Sequence, residues 1–180
     1  MRLAAEPRET VEWPDDQSDA VEMIRRAGVS GAGGAGFPTY AKWQQADSTP
    51  YLLVNHQESE PNYCIDKWLG RERAGELAAL FEAVLGEVFE LVVVSAKLKD
   101  RDSDMQELEA ETGGTVRTPE ELPLDPATES GVVFAYTDNT YQYGMENVLL
   151  QTVAGTVIGD SLPMDHGWLV QNTESLVNIH

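Results

Sequence analysis

The sequence predicts an α/β fold in three layers, with a mostly parallel sheet flanked by helices. Continuous apolar runs at 51–55, 90–95 and 132–136 are typical of strands that are covered on both faces. Apolar residues at helical spacing over 74–88 and from 145 to about 155 alternate with those strands along the chain. Because strands that alternate with helices are joined by crossover connections, we expect the sheet to be parallel.

Capping and turn residues predict the other elements. Ser18 or Asp19 is expected to begin a first helix that ends before Gly28. A short helix from about 39 to 45 is expected after Pro38. The remaining expectations, in chain order, are a long polar loop over 56–71, a helix over 102–112, a strand over 168–170 and a last helix begun by Asn172.

The composition predicts one globular domain. The chain has 180 residues, of which 42% are hydrophobic and 24% are charged, so it can bury a core and is too apolar to be disordered. Residues 1–17 are expected to form a flexible lead and residues 18–180 the domain. No secretory signal is visible, and no run approaches the ~20 apolar residues of a membrane span, so we expect a cytoplasmic protein.

The charge is strongly negative, because 12 Lys and Arg residues face 31 Asp and Glu residues and leave a net charge of −19. A surface of this sign repels nucleic acid and anionic membranes, so neither is an expected partner. Acidic residues are spread along the chain, which favours a halophilic protein over an acidic mesophilic one. The one cysteine, Cys64, is expected to be a buried thiol and excludes an internal disulfide or a multi-thiolate metal site.

A glycine-rich segment follows the first helix, and its Gly31, Gly33, Gly34 and Gly36 satisfy the letter pattern of a dinucleotide fingerprint. That fingerprint must follow a strand, so the pattern alone is weak here. Closely spaced glycines nevertheless let successive backbone N–H groups point at a phosphate or a planar ligand. Lys42 lies one turn into the next helix and is a candidate cation for that ligand. The alternative is a flexible loop or tight helix packing.

A second polar segment directly follows the strand at 51–55. It contains Asn55, Glu58 and Glu60, and the carboxyl ends of parallel strands are where ligands bind in such sheets. These amide and carboxylate groups would accept hydrogen bonds from the hydroxyl and ring N–H groups of a ligand. The alternative is an ordinary acidic surface loop.

Four motifs in this order resemble the NADH-binding flavoprotein subunit of respiratory complex I. They are Gly31-Ala-Gly-Gly-Ala-Gly-Phe-Pro-Thr39 with Lys42-Trp43, Val54-Asn55 with Glu58-Ser-Glu-Pro61, Tyr141-Gln-Tyr-Gly-Met-Glu146, and Gln171-Asn-Thr-Glu-Ser-Leu176. Two further tracts lean toward the related C subunit of the Rnf complex and the cobalamin reductases: Met145-Glu-Asn-Val-Leu-Leu150 and Ser161-Leu-Pro-Met-Asp-His-Gly167. The acidity suggests a haloarchaeal type of this family.

The resemblance implies a Rossmann-like domain that binds FMN and takes hydride from NADH. Electrons would pass to other subunits of an electron-transfer complex, which would carry iron–sulfur clusters and any membrane contact. Because the flavin supplies the redox chemistry, no catalytic side chain is implied. By resemblance, the glycines and Lys42 would line the phosphate and ribityl chain, Phe37 and Glu60 would lie toward the nicotinamide nucleotide, and the rest of the flavin pocket would be Asn55, Glu58, Tyr141, Gly144, Glu146 and Asn172.

The sequence also departs from the family pattern. Ala32 and Ser30 flank the glycines where complex I members carry an arginine, Gln57 replaces an aspartate and Met145 replaces a glutamate. One cysteine cannot ligate the four-cysteine cluster that follows the flavin domain in the family, so we expect a chain truncated before that region or a partner that carries it.

These departures leave two alternatives to the flavoprotein interpretation. One is a non-catalytic interaction domain that keeps the fold, and the other is a generic phosphate-binding module. FMN and NADH are both anions, whereas Lys42 is almost the only cation of the predicted pocket. Flavin affinity is therefore expected to rise with salt, which screens the repulsion.

Overall fold

The computed structural model describes residues 13–14, 16–32 and 36–179. Within them, five strands form one wholly parallel sheet in the order β3-β4-β2-β1-β5. The strands are β1 (Tyr51–Asn55), β2 (Leu91–Lys97), β3 (Thr115–Arg117), β4 (Gly131–Thr137) and β5 (Trp168–Asn172). The helices are α1 (Gln17–Ala27), α2 (Thr39–Trp43), α3 (Ile65–Glu72), α4 (Ala74–Val84), α5 (Gln106–Thr112), α6 (Glu146–Ala154) and α7 (Thr173–Val177).

Two apolar cores lie on opposite faces of the sheet. Leu52 and Val54 of β1 belong to a larger core that also contains residues of α1 to α5 and α7. Leu53, which points the other way, belongs to a smaller core with α6. Because both faces are covered, β2 is buried along its whole length. The predicted three-layer α/β fold is confirmed.

Several boundaries differ from the prediction. The cap of α1 is Asp16 instead of Ser18 or Asp19, and its carboxylate accepts a hydrogen bond from the Ser18 amide at 2.7 Å. The predicted helix over 74–88 ends at Val84, and Gly86 then adopts a left-handed φ of 84°. The predicted helix over 102–112 begins as a π-helical turn before α5.

Two elements were not predicted. The expectation of a polar loop over 56–71 is wrong for its second part, which forms α3. The apolar signal of α3 is weak because it buries Asp66 and Gly70 beside Leu69. Strand β3 has only three residues and pairs with β4 at the edge of the sheet.

One expectation about a single residue is also corrected. Cys64 is exposed, because it precedes α3 on the surface and does not enter a core. Trp13 falls in the predicted flexible lead, yet its ring packs on the buried Trp43 with centroids 5.6 Å apart. The rest of that lead lies mostly outside the described residues.

The strand register gathers polar groups at one edge of the sheet. Asn55 at the end of β1 aligns with Ser95 of β2 and with Asn172 of β5. Helix α3 follows β1 on one face of the sheet, whereas α6 precedes β5 on the other face. A crevice therefore opens between them at the carboxyl ends of β1 and β5. None of the described helices is long and apolar enough to cross a membrane.

The packing of β3 gives a stability test. A Cβ atom on Gly114 would lie 2.7 Å from a ring carbon of Phe134 and 2.8 Å from the carbonyl oxygen of Val132. We expect Gly114→Ala to lower the free energy of unfolding by about 1–3 kcal/mol, measured by urea denaturation. The control is Gly75→Ala in α4, where a Cβ atom meets nothing within 4 Å and stability should stay equal or rise by up to about 1 kcal/mol. Equal stability of the two variants would contradict this packing.

Candidate functional site

The crevice at the strand ends forms a cleft of about 570 Å³. Its walls are the start of the glycine-rich segment, the loop after β1, the turn at 141–144 with the start of α6, and the end of β5. A cleft of this size lies within the range of sites for small molecules and cofactors. The described lining residues are Gly31, Ala32, Phe37, Lys42, Asn55, Glu58, Ser59, Glu60, Tyr63, Asp66, Tyr141, Gln142, Gly144, Met145, Glu146, Gln171 and Asn172.

Most of the residues that the sequence predicts for the site meet in this cleft. Ten of the thirteen line it, namely Gly31, Phe37, Lys42, Asn55, Glu58, Glu60, Tyr141, Gly144, Glu146 and Asn172. Gly36 is close in the chain but does not line it, and Gly33 and Gly34 lie outside the described residues. Tyr63, Asp66 and Gln171 were not predicted. Asp66 was missed because residues 56–71 were expected to be a polar loop and not to contain a helix. Gln171 begins the last of the four family motifs and could have been identified from it.

Hydrogen bonds from two backbone amides hold the start of the glycine-rich segment in place. The amide of Gly31 donates to the carbonyl oxygen of Phe37 at 2.7 Å, and the amide of Ala32 donates to Oγ of Ser175 in α7 at 2.8 Å. A Cβ atom on Gly31 would lie 3.2 Å from that same carbonyl oxygen. These two amides are therefore already used within the protein.

Lys42 carries the only lysine or arginine charge among the described lining residues. Its Nζ donates to Oε1 of Glu146 at 2.7 Å and to the carbonyl oxygen of Val170 at 2.9 Å. Helix α2 supplies the lysine and the first turn of α6 supplies the glutamate. The lysine side chain is 18% exposed and the glutamate side chain 42% exposed, so water screens the attraction between them only in part. An anion that uses Lys42 has to compete with Glu146.

Asn55 connects two walls of the cleft. Its Nδ2 donates to the carbonyl oxygen of Gly144 at 3.2 Å, and its Oδ1 accepts from the amide of Gln57 at 3.1 Å. Gly144 lies so close to Ser59 that a Cβ atom on it would overlap the Ser59 hydroxyl group. The loop after β1 and the turn before α6 are thus held at a fixed separation that a larger residue at 144 would change.

Two cleft residues have buried oxygen atoms without a partner. The Glu58 side chain is 1% exposed, and its Oε1 has no hydrogen-bond partner among the described residues. Oε1 of Gln171 is also buried and has no hydrogen-bond partner among the described residues. Glu58 also has a left-handed φ of 41°, and burial raises the pKa of its carboxyl group. Buried acceptors of this kind are costly to leave unpaired, which is typical of sites that bind a donor.

Asp66 and Asn172 form the floor between α3, β5 and α7. Nδ2 of Asn172 donates to both carboxylate oxygens of Asp66, at 3.1 and 3.3 Å, and its Oδ1 accepts from the amide of Glu174 at 2.8 Å. Asn172 is thereby the predicted cap of α7. Burial raises the pKa of Asp66 to about 7. The charges of Glu58 and Glu174 add to this shift, and the hydrogen bonds from the Asn172 side chain and the Glu174 backbone oppose it.

Behind the loop, two buried side chains hold its backbone. His56 is buried, its Nδ1 lies 2.8 Å from Oγ1 of Thr173, and burial lowers its pKa to about 4, so the ring is neutral at pH 7. Gln57 is buried as well and donates from Nε2 to Oγ of Ser95 at 2.9 Å.

At the rim of the cleft, the exposed hydroxyl group of Tyr141 donates to Oε1 of Glu60 at 2.8 Å.

Several known proteins are similar in sequence. Over 167 residues the chain is 34% identical to the C subunit of the ion-translocating oxidoreductase complex of Pseudomonas aeruginosa, covering 89% of this chain and 19% of that protein. It is 28% identical over 161 residues to the protein of the same name from Vibrio cholerae, covering 87% and 18%. A segment of 52 residues is 50% identical to the F subunit of NADH-quinone oxidoreductase of Streptomyces coelicolor, covering 27% and 12%. The chain spans about a fifth or less of the length of these relatives.

The fold is also known from solved structures. An NAD+-reducing NiFe hydrogenase in its H2-reduced state superposes with a TM-score of 0.71 over 91% of this chain and 30% of that chain, at 23% identity. The air-oxidised state of the same enzyme type gives a TM-score of 0.70 at 24% identity. The family model described as the Nuo51 FMN-binding domain matches residues 24–180, which include every described residue of the cleft. The chain therefore belongs to the Complex1_51K family of Nuo51 FMN-binding domains.

Proposed function

We propose that residues 18–180 form a flavoprotein domain that binds FMN in this cleft and accepts electrons from NADH for a multisubunit electron-transfer complex. The observation that carries the proposal is the match to an FMN-binding domain over a segment whose cleft contains buried, unpaired acceptors. The names of the relatives support the wider role, because each is a subunit of an oxidoreductase. Any iron–sulfur carriers and membrane contacts of such a complex would belong to partner subunits.

The acceptors fit the polar edge of a flavin. Oε1 of Glu58 and Oε1 of Gln171 would each take a hydrogen bond from a ring N–H group or a ribityl hydroxyl group. An unpaired buried acceptor costs about 1–3 kcal/mol, and a bound donor removes that cost. Gly144 keeps the wall beside them free of a side chain. When bound, the flavin would supply the hydride chemistry, and the protein would supply orientation.

The phosphate end would depend on Lys42. Because Nζ of Lys42 is already held by Glu146 and Val170, a phosphate would have to replace the Glu146 carboxylate or share the ammonium group with it. The amides of Gly31 and Ala32 are engaged, so backbone donors for the phosphate would come from the following glycines. Gly33 and Gly34 are the predicted candidates.

NADH would enter at the mouth of the cleft. The rings of Phe37 and Tyr141 are 45% and 57% exposed there, although both residues line the cleft. Exposed aromatic rings at the entrance of a site are suited to stacking on a nicotinamide or adenine ring. Glu60 accepts from the Tyr141 hydroxyl group and would keep that ring in place.

A non-catalytic interaction domain is the second candidate, and the Lys42–Glu146 ion pair favours it. A lysine paired with a carboxylate at 2.7 Å attracts a phosphate less strongly than an unpaired lysine would. The two candidates differ in a property that is simple to measure, because only the first requires flavin to bind.

Flavin binding and reduction form the first functional test. Purified protein titrated with FMN in about 1 M salt, where screening is strong, should quench flavin fluorescence, and anaerobic addition of NADH should then bleach the flavin absorbance. Quenching without bleaching would leave a flavin domain that does not use NADH. No quenching would favour the interaction domain. Binding should weaken at about 0.1 M salt, because the −19 charge of the chain then repels the FMN phosphate.

The ion pair in the cleft gives variants with opposite effects. Lys42→Met should lower FMN affinity by about ten- to hundredfold, since a hydrogen bond to a charged group contributes about 1.5–3 kcal/mol. Glu146→Gln should raise the affinity several-fold by releasing the lysine. Lys99→Met, at an exposed position outside the cleft, is the control and should change nothing. A Lys42→Met variant with the affinity of the control would exclude Lys42 as the phosphate partner.

A further inference from the structure

Asp66 is a buried carboxyl group to which the proposed flavin chemistry gives no role. It is 2% exposed, lies in the first turn of α3 and lines the cleft. Within the described residues, no lysine or arginine nitrogen lies within 4.0 Å of its carboxylate. Its hydrogen-bond donors are neutral: Nδ2 of Asn172, at 3.1 and 3.3 Å, and the backbone amide of Glu174. A buried carboxylate without a cation is costly, so the site favours a bound proton.

The orientation of Asn172 leaves Asp66 free to change its protonation state. Oδ1 of Asn172 is committed to the Glu174 amide at 2.8 Å, so Nδ2 must point toward Asp66. A donor of this kind needs an acceptor, and the carbonyl oxygen of a protonated Asp66 meets that need as well as a carboxylate does. The carboxylic O–H group then becomes a new donor on a cleft wall that is otherwise rich in acceptors.

The charges around Asp66 are negative on each side that faces the cleft. Glu58 and the hydroxyl group of Tyr63 belong to the loop after β1, and Glu174 belongs to α7. Tyr63 donates to Oε2 of Glu174 at 2.7 Å, which fixes the position of that side chain beside Asp66. Burial raises the pKa of Asp66 to about 7; the charges of Glu58 and Glu174 add to this shift, and hydrogen bonds from the Asn172 side chain and the Glu174 backbone oppose it.

The lysine and the arginine nearest to Asp66 in the sequence pair with other carboxylates. Nζ of Lys67 lies 3.2 Å from Asp100 and 4.0 Å from Glu58. Arg71, one turn further along α3, pairs with Asp104 at 3.2 Å. Neither side chain is within ion-pair distance of Asp66, so neither cation offsets the negative field at Asp66 that a bound anion would increase.

We propose that Asp66 takes up a proton when an anionic flavin phosphate binds in the cleft, so that ligand binding and proton binding are coupled at this residue. The proposal rests on the proposed function. A second anion raises the cost of an ionised Asp66, and protonation removes that cost and adds a donor. The sign follows from linkage: where the liganded protein binds more protons than the free protein, affinity falls as pH rises.

The test is calorimetric titration of the protein with FMN at pH 8 and high salt, in two buffers of different ionisation enthalpy. At pH 8 the FMN phosphate is already ionised, because its second pKa is about 6. We expect uptake of about half to one proton per FMN bound, and an affinity that falls by up to about tenfold per pH unit above pH 7. In Asp66→Asn, which keeps an acceptor for Asn172, the uptake and this pH dependence should vanish while FMN still binds. Asp102→Asn, at an exposed position outside the cleft, should behave as the unchanged protein.

A second measurement does not depend on the variants. The carboxyl ¹³C resonance of Asp66 in the unchanged protein should titrate at a pH at least one unit higher with FMN than without it. FMN binding without proton uptake, uptake that survives in Asp66→Asn, or a resonance whose titration is unaffected by FMN would each overturn the coupling alone. Absence of FMN binding to the unchanged protein would overturn the proposed function, and the coupling with it.

Discussion

The parallel pairing of β1 with both β2 and β5 is the constraint on which the cleft depends. It sets Asn55 beside Ser95 on one side and Asn172 on the other. The register is fixed by apolar packing, because Leu52 and Leu53 enter different cores and a slip of one residue would exchange them. The polar groups at the strand ends are therefore positioned by side chains that never meet a ligand.

The charged groups of the cleft are electrostatically unfavourable for the folded protein. Among the described residues, no lysine or arginine side chain lies within hydrogen-bond distance of the buried carboxylates of Glu58 and Asp66, and Lys42 is held by Glu146. Such groups lower the free energy of unfolding, and they are common where a site is arranged for binding. A ligand that brings N–H and O–H donors relieves the unpaired acceptors, whereas its phosphate adds to the negative field. Salt and protonation are the two physical means of reducing that field.

Much of the fold follows from the sequence, and the exceptions have physical causes. β1, β2 and β4 are recognisable as apolar runs, but β3 is too short to form a pattern and α3 buries an aspartate and a glycine. Motif order along the chain predicted ten residues that the fold brings to one cleft. It could not reveal Asp66, whose importance depends on the Asn172 amide 106 positions away. The Lys42–Glu146 ion pair, between residues 104 positions apart, could not be predicted either, because both side chains were expected to contact the ligand and not each other.

The most direct test of FMN binding in this cleft is a ¹⁵N NMR titration of the whole chain with FMN at high salt. The amide resonances that shift should cluster in the loop after β1, the turn at 141–144 and the end of β5, and those of α4 should not move. Shifts confined to residues of α4 and α5, or no shifts at saturating FMN, would contradict a flavin site at the strand ends.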